Sequence, residues 1–307
     1  MASNPVFGQG PALRVQVEQD PAGWTVYEGD RVFAGYLKNS GGKPIIYPIH
    51  GPGGHPMTRN YPMKKDYGRE ASDHDHQRSM WFTHGDINGI DFWKDDEGCG
   101  QIVQRKGKAE TSDIGSVVIT TENDWISHSG ERQLSDTRRF EFIVDGRRRF
   151  IDCDILLKAT DGDVNFGDTK EGSFGMRIAT SMRVDSKKGG LIMNASGQMN
   201  KDAWGKESPW VDYSGPIDEL VGITIHNHPS SFGFPTRWHV RTYGLFAANP
   251  FGRYHFKGGK KQDGIVLLDG KSMRLNYRVV LYMGKSDPKL INEDMKAFQN
   301  DPRPTVE

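Results

Sequence analysis

No apolar run in this chain approaches the roughly 18 residues that a membrane-spanning helix needs, so no membrane span is expected. Excess charge is missing too. The 40 basic and 40 acidic residues cancel, which removes the basic footprint expected of a nucleic-acid binder. Lys106-Gly107-Lys108 and Arg147-Arg148-Arg149 lack interleaved aromatics and read as solvated strand ends. Cysteine is scarce: Cys99 lies between two glycines and Cys153 in a strand pattern, too few for a zinc ribbon. A free, buried Cys153 is a simpler expectation than a bridge to Cys99. No nucleophile elbow, P-loop or dinucleotide-binding glycine fingerprint is present. Met1 to Pro5 has neither the charged nor the apolar region of a signal peptide. A soluble protein is expected, cytoplasmic unless a removed leader had sent it to the periplasm or outside.

Glycine (37) and proline (16), by contrast, are plentiful and suit many strands joined by tight turns. Leu13, Val15 and Val17 alternate with polar residues; 24–27 and 31–37 flank a Gly29-Asp30 turn; 45–47 is a short apolar strand. Phe140, Phe142 and Val144 lead through Asp145-Gly146 into a return strand with Ile151, Cys153, Ile155 and Leu157 on one face. Strands are also expected at 117–121, 174–184, 189–194, 220–228, 237–247 and 264–268, the last turning at Asp269-Gly270 into 273–283. Only 288–299 reads as a helix, with Pro288 in its first turn and Leu290, Ile291, Met295 and Phe298 on one face. With no linker and no repeat, residues 1–307 are expected to form a single, large antiparallel β-sandwich with one short C-terminal helix.

From His50 to about Gly100 the periodicity breaks down, although aromatics argue against disorder. The densest piece is Asp73 to Trp93, with His74, His76, Arg78, Trp81, His84 and Trp93. Imidazoles and carboxylates bind metals or move protons near neutral pH, and indoles suit sugar rings. On a strand, His74 and His76 would share a face. The bland alternative is a polar loop whose histidines hydrogen-bond backbone.

Three further segments are rich in polar groups. His50-Gly51-Pro52-Gly53-Gly54-His55 allows close approach of backbone to a ligand, or is a flexible turn. In 167–177, Asp168, Lys170 and Glu171 form either an acid/base pair or a solvated loop. Strand period aligns Thr224, His226 and His228, and separately Arg237, His239, Arg241 and Tyr243; Trp238 and Asn249 lie nearby. Such a row of donors faces solvent, or a pocket for an anionic or polyhydroxylated ligand.

The chain resembles a bacterial family of unassigned function, often labelled "methane oxygenase PmoA-like". Lys43-Pro44-Ile45-Ile46-Tyr47-Pro48, Asp73 to Trp93, Gly167 to Gly172, Trp204-Gly205-Lys206 and Trp238 to Gly252 carry the likeness. Where that family reads Asp-His-Pro-His-His-Arg, this chain has Asp73-His74-Asp75-His76-Gln77-Arg78, which removes a third histidine. A membrane methane oxygenase contradicts the absence of an apolar span. The resemblance extends distantly to the galactose-mutarotase supersandwich. It implies a sugar site where histidine and a carboxylate shuttle protons on the concave face of a sandwich.

Three functions follow from these readings. The first is a carbohydrate-processing epimerase, lyase or hydrolase acting on a saccharide by general acid–base catalysis, requiring no cofactor. Its catalytic candidates are His74, His76, Asp168, Glu171 and His239. Its substrate-binding candidates are Arg78, Trp81, His84, Trp93, Lys170, His228, Trp238, Arg241 and Asn249. The second is a divalent-metal enzyme, with His74 and His76 joined by His84, His228, His239 or Glu171 around zinc, iron or manganese. The third is a non-catalytic glycan-binding module. Nucleic acid is not an expected partner, and nothing in the sequence fixes an oligomeric state.

Overall fold

The computed structural model describes residues 15–301 apart from Asp66 and Arg69; Leu13, expected in the first strand, lies outside them. In chain order come β1 (Val15–Gln19), β2 (Gly23–Glu28), β3 (Arg31–Leu37), β4 (Ile45–Ile49) and β5 (Met80–His84). Then follow β6 (Gln101–Thr111), β7 (Val117–Ile126), β8 (Arg132–Asp145), β9 (Arg148–Lys158), β10 (Val164–Phe166) and β11 (Gly172–Arg177). After them come β12 (Leu191–Asn194), β13 (Trp210–Pro216), β14 (Leu220–Asn227), β15 (Arg237–Val240) and β16 (Leu245–Asn249). The chain ends with α1 (Tyr254–Lys257), β17 (Ile265–Leu267), β18 (Ser272–Met283) and α2 (Pro288–Gln299).

Two eight-stranded antiparallel sheets result, the large β-sandwich that the alternation calls for. One runs β1-β2-β3-β4-β5-β11-β16-β15 and the other β12-β13-β14-β18-β9-β8-β7-β6. Alternate residues of each face the other sheet. Phe33 meets Phe142 edge-on at 5.7 Å, Phe82 meets Trp125 at 5.9 Å, and Phe174 stacks on Tyr277 at 4.6 Å. Aromatic burial of this kind contributes about 2–3 kcal/mol per ring and fixes which face of each strand turns inward. Among the described residues no helix is long and apolar enough to cross a membrane.

Several expected elements differ. The strand expected at 174–184 ends at Arg177, and the one expected over 237–247 breaks into β15 and β16 around Gly244, which sits at φ +102°. The β17–β18 hairpin does not form: β17 pairs with β10, while β18 lies between β14 and β9. Helix α2 has the expected bounds, but Leu290 is exposed, and Ile291, Met295 and Phe298 alone are buried. No disulfide joins Cys99 to Cys153.

The outer face of the first sheet is also covered, by the 50–100 segment. Ile45, Tyr47, Trp81, Leu245 and Ala247 point outward there and form a second apolar cluster with Trp93. Beside them on the same face, by strand alternation, stand Ser173, Arg177, His239 and Asn249.

Candidate functional site

His74 and His76 are not on a strand; they lie in the loop before β5, and a buried arginine shapes that loop. Arg59 donates to the carbonyls of Ala71 (3.0 Å), Asp73 (2.6 Å), His74 (2.9 Å) and Gln77 (3.2 Å). Five donors in a fixed fork suit a tight loop that has few backbone partners of its own. Within it His74 adopts a left-handed backbone, φ +48°, a strained choice for a non-glycine residue. Arg177, beneath the loop, donates to both Asp73 oxygens (2.8 and 3.0 Å) and to the Gln77 carbonyl oxygen of its side chain. Burial raises the Asp73 pKa, but Arg177, His74 and Arg59 outweigh it and hold the carboxyl down at about 2.

A carboxylate so fixed orients its histidine. His74 donates from Nδ1 to Asp73 Oδ2 at 2.5 Å and stacks on Tyr243, rings 5.2 Å apart and 8° from parallel. His76 stands edge-on to His74 at 5.7 Å, above Trp93. Burial, then the charges of Lys43 and His74, push the His76 pKa down to about 4 against Asp95 and Glu171. Lys43 is itself buried and donates to the Trp93 carbonyl at 2.8 Å; desolvation lowers its pKa to about 8.

His239, on β15, is the site's most constrained imidazole. Its Nδ1 lies 2.9 Å from the Lys170 carbonyl oxygen. A carbonyl only accepts, so Nδ1 carries the proton and the lone pair of the neutral ring sits on Nε2. Burial is the largest influence and, despite Glu171 and that carbonyl, lowers the pKa to about 4. Glu171 is paired with Lys170. Its burial raises the pKa, but Lys170, His239 and His76 together leave the carboxyl below its ordinary value, hence ionised. Ring contacts make one surface of the two histidines: His74 on Tyr243, Arg241 5.7 Å from both Tyr243 and Trp204, and Trp204 6.4 Å from His239.

Several expected site residues instead scaffold this cluster. Asp168 accepts the backbone amides of Arg253 (2.6 Å), Tyr254 (3.0 Å) and Gln262 (3.2 Å), and those bonds, against its burial, keep it ionised. It is an anchor for a loop, not a free acid. Asn249 bridges the Thr169 carbonyl and the amides of Phe251 and Gly252. His84 is fully buried, donating to the Gly167 carbonyl at 2.9 Å. All three hold the 167–172 loop, and so place Lys170 and Glu171.

Other expectations are corrected by burial or distance. Trp81, Trp93 and Trp238 are at most 2 % exposed and offer no face to a sugar ring. Arg78 is tied to Asp95 at 2.6 Å and to Ser40. His228 lies just past the second sheet's β14, against Phe298 of α2, away from the cluster. The expected metal set is therefore divided, because His84 and His228 stand apart. Among the described residues, the group with ligand atoms within 4.8 Å of one another is Asp75, His76 and Asp95. Arg59, Arg177, Lys43 and Trp204 are the members that residue patterns did not single out for a role, whereas Tyr243 belonged to the aligned row of donors. Lys43 and Trp204 did fall inside the family-like segments.

The model of a family of unknown function, DUF6807, matches residues 23–296; it bears no methane-oxygenase name. No curated protein matches the chain. Among solved structures, the galactosidase domain of an alpha-galactosidase–sucrose kinase is similar at 6% identity and TM-score 0.43, over 88% of this chain and 42% of that one. A beta-arabinopyranosidase is similar at 10% identity and TM-score 0.41, over 82% and 38%. A glycoside hydrolase family 97 enzyme from Pseudoalteromonas sp. strain K8, in complex with acarbose, is similar at 8% identity and TM-score 0.40, over 94% and 36%. The chain spans about two fifths of the length of these structures, and likeness at this level carries no functional argument.

Proposed function

The chain belongs to the family of unknown function DUF6807, and from its site we propose that it is a carbohydrate-active enzyme of the epimerase or lyase type. His239 is the base in this reading, and His74 and Glu171 are its partners. One observation supports it: the Lys170 carbonyl at 2.9 Å fixes the proton on Nδ1, so the neutral imidazole, itself only 3 % exposed, keeps its lone pair on Nε2. A neutral base suits removal of a proton from a sugar carbon or hydroxyl, the electron pair staying on the sugar. His74, oriented by Asp73, supplies a proton in return.

Hydrolysis fits less well. Glycosidases use two carboxyl groups, one of them protonated. Here Glu171 is ionised beside Lys170, and Asp168 is committed to three backbone amides. The half-buried Tyr243 and Trp204 supply aromatic surface for a sugar between the histidines.

Proton NMR of a saccharide panel in D₂O tests this reading. Wild-type protein is expected to exchange a sugar C–H, interconvert anomers or epimers, or form an unsaturated product, and His239→Gln to lose that turnover. Hydrolysis alone, or turnover unchanged in His239→Gln, would overturn it. Tight sugar binding without any product, surviving loss of both His74 and His239, would make the protein a glycan-binding module. A second reading rests on Asp75, His76 and Asp95 as divalent-metal ligands. It must contend with Arg78 already paired to Asp95 and with Lys43 nearby. Elemental analysis of chelator-free protein with no stoichiometric metal removes it.

A further inference from the structure

Next to the His74–His239 surface lies a cleft of about 340 Å³ lined by Lys201, Trp204, Val240, Arg241 and Thr242. Its size suits a single sugar ring. Its charge is unbalanced: the lining holds two cations and no carboxylate. Arg241 has no acidic partner among the described residues, whereas Arg237, four residues earlier at the start of β15, is paired with Glu207. The guanidinium of Arg241 is nonetheless held in place, 5.7 Å from the rings of both Trp204 and Tyr243. A cation sandwiched between aromatic faces is pre-oriented, so fewer rotamers are lost when it binds an anion. The buried indole N–H of Trp204 also has no acceptor.

Together these groups lack one thing, an anion with several acceptor oxygens on a ring that stacks against an aromatic face. We propose that the cleft is a subsite for an anionic sugar, in which Arg241 and Lys201 hold a carboxylate or sulfate ester and Trp204 lies against the ring. The subsite rests on the sugar-enzyme reading above and names its substrate class. The Trp204 ring stands 6.4 Å from the ring of His239, so a sugar held there lies beside the proposed base. A guanidinium on a carboxylate also neutralises the charge that would oppose proton removal from the adjoining carbon.

Calorimetric titration of the full chain with three sets of oligosaccharides tests the proposal: glucuronate- or galacturonate-containing, sulfated, and neutral glucose- or galactose-based. Binding of an acidic set at least about tenfold tighter than the neutral set is expected. It should weaken as salt rises, by about tenfold or more in Arg241→Gln and measurably in Lys201→Ala. Preference for uronates over sulfated sugars, or the reverse, identifies the anion. Lys201 is exposed on a turn, so Lys201→Ala remains informative if Arg241→Gln melts early. Equal or tighter binding of neutral sugars overturns the anionic subsite and leaves the sugar-enzyme reading standing. Acidic sugars bound unchanged by both variants would overturn its location. No binding by any set would overturn subsite and reading together.

Discussion

At the scale of single residues, the site depends on one hydrogen bond. Because burial, against the Lys170 carbonyl that fixes the Nδ1 proton, holds His239 neutral down to about pH 4, activity should persist below pH 6 and fall only as pH approaches about 4. A profile of turnover against pH checks this; a limb near 6.5 would mean that Nε2 is an ordinary solvated imidazole. The histidines and Glu171 were legible in the sequence because such residues rarely cluster for packing alone. Their supports were not. Arg59 and Arg177 look like two of forty ordinary cations, and only the fold reveals that both are buried under the His74 loop. Asp168 misled for the converse reason: a carboxylate that caps three backbone amides has the same letter as a catalytic one. Arg59→Leu leaves the carbonyls of Ala71, Asp73, His74 and Gln77 without a donor. A loss of about 3 kcal/mol is expected in denaturant unfolding, with loss of turnover.

Elements place those residues, and here small side chains matter. A Cβ on Gly172 would come within 2.4 Å of His84 Nδ1 inside a fully buried site. Gly172→Ala should therefore cost about 2 kcal/mol of stability and lower activity, by displacing the loop that carries Glu171. Unaltered melting and turnover would show that the loop is not under that constraint. Helix α2 covers the outer face of the second sheet with Ile291, Met295 and Phe298. Phe298→Ala should cost about 3–4 kcal/mol there while leaving sugar turnover per folded molecule unchanged, since the catalytic cluster is on the other sheet. Helix α2 and the β8–β9 hairpin were readable because their apolar periods are long and capped or turned by Pro288 and Asp145-Gly146. Strand β5 was not. Its five residues are all buried, so Met80 to His84 shows no alternation to mark it.

For the molecule as a whole, buried imidazoles set the acid limit. Burial lowers the pKa values of His84 and His239 to about 4 and of His226 to about 3. Each is neutral when folded and takes a proton near 6.5 when unfolded, so its stabilisation is complete above that pH. It is lost as pH falls toward 4, on the order of 2–3 kcal/mol for each. Asp212 works the other way: burial raises its carboxyl to about 6, so the folded state gains stability as pH drops below that. These three histidines, with His76 and His50 lowered in the same direction, outweigh the one raised carboxyl and predict a melting temperature that falls between pH 6.5 and 4.5, and His226→Leu should flatten that fall. A flat profile in the native protein would mean that these rings are hydrated. The sandwich itself followed from alternation and turn residues. The meeting of 71–77, 167–172 and 237–243 over one sheet did not, because nothing local in the sequence encodes which loops converge.

The most direct measurement is a ¹H–¹⁵N NMR titration of the histidine rings, with His239 assigned by its absence in His239→Gln. A neutral ring with its proton on Nδ1, titrating near pH 4, is expected. A midpoint at or above 6.5, or a neutral ring protonated on Nε2, would contradict it and leave the site without its base.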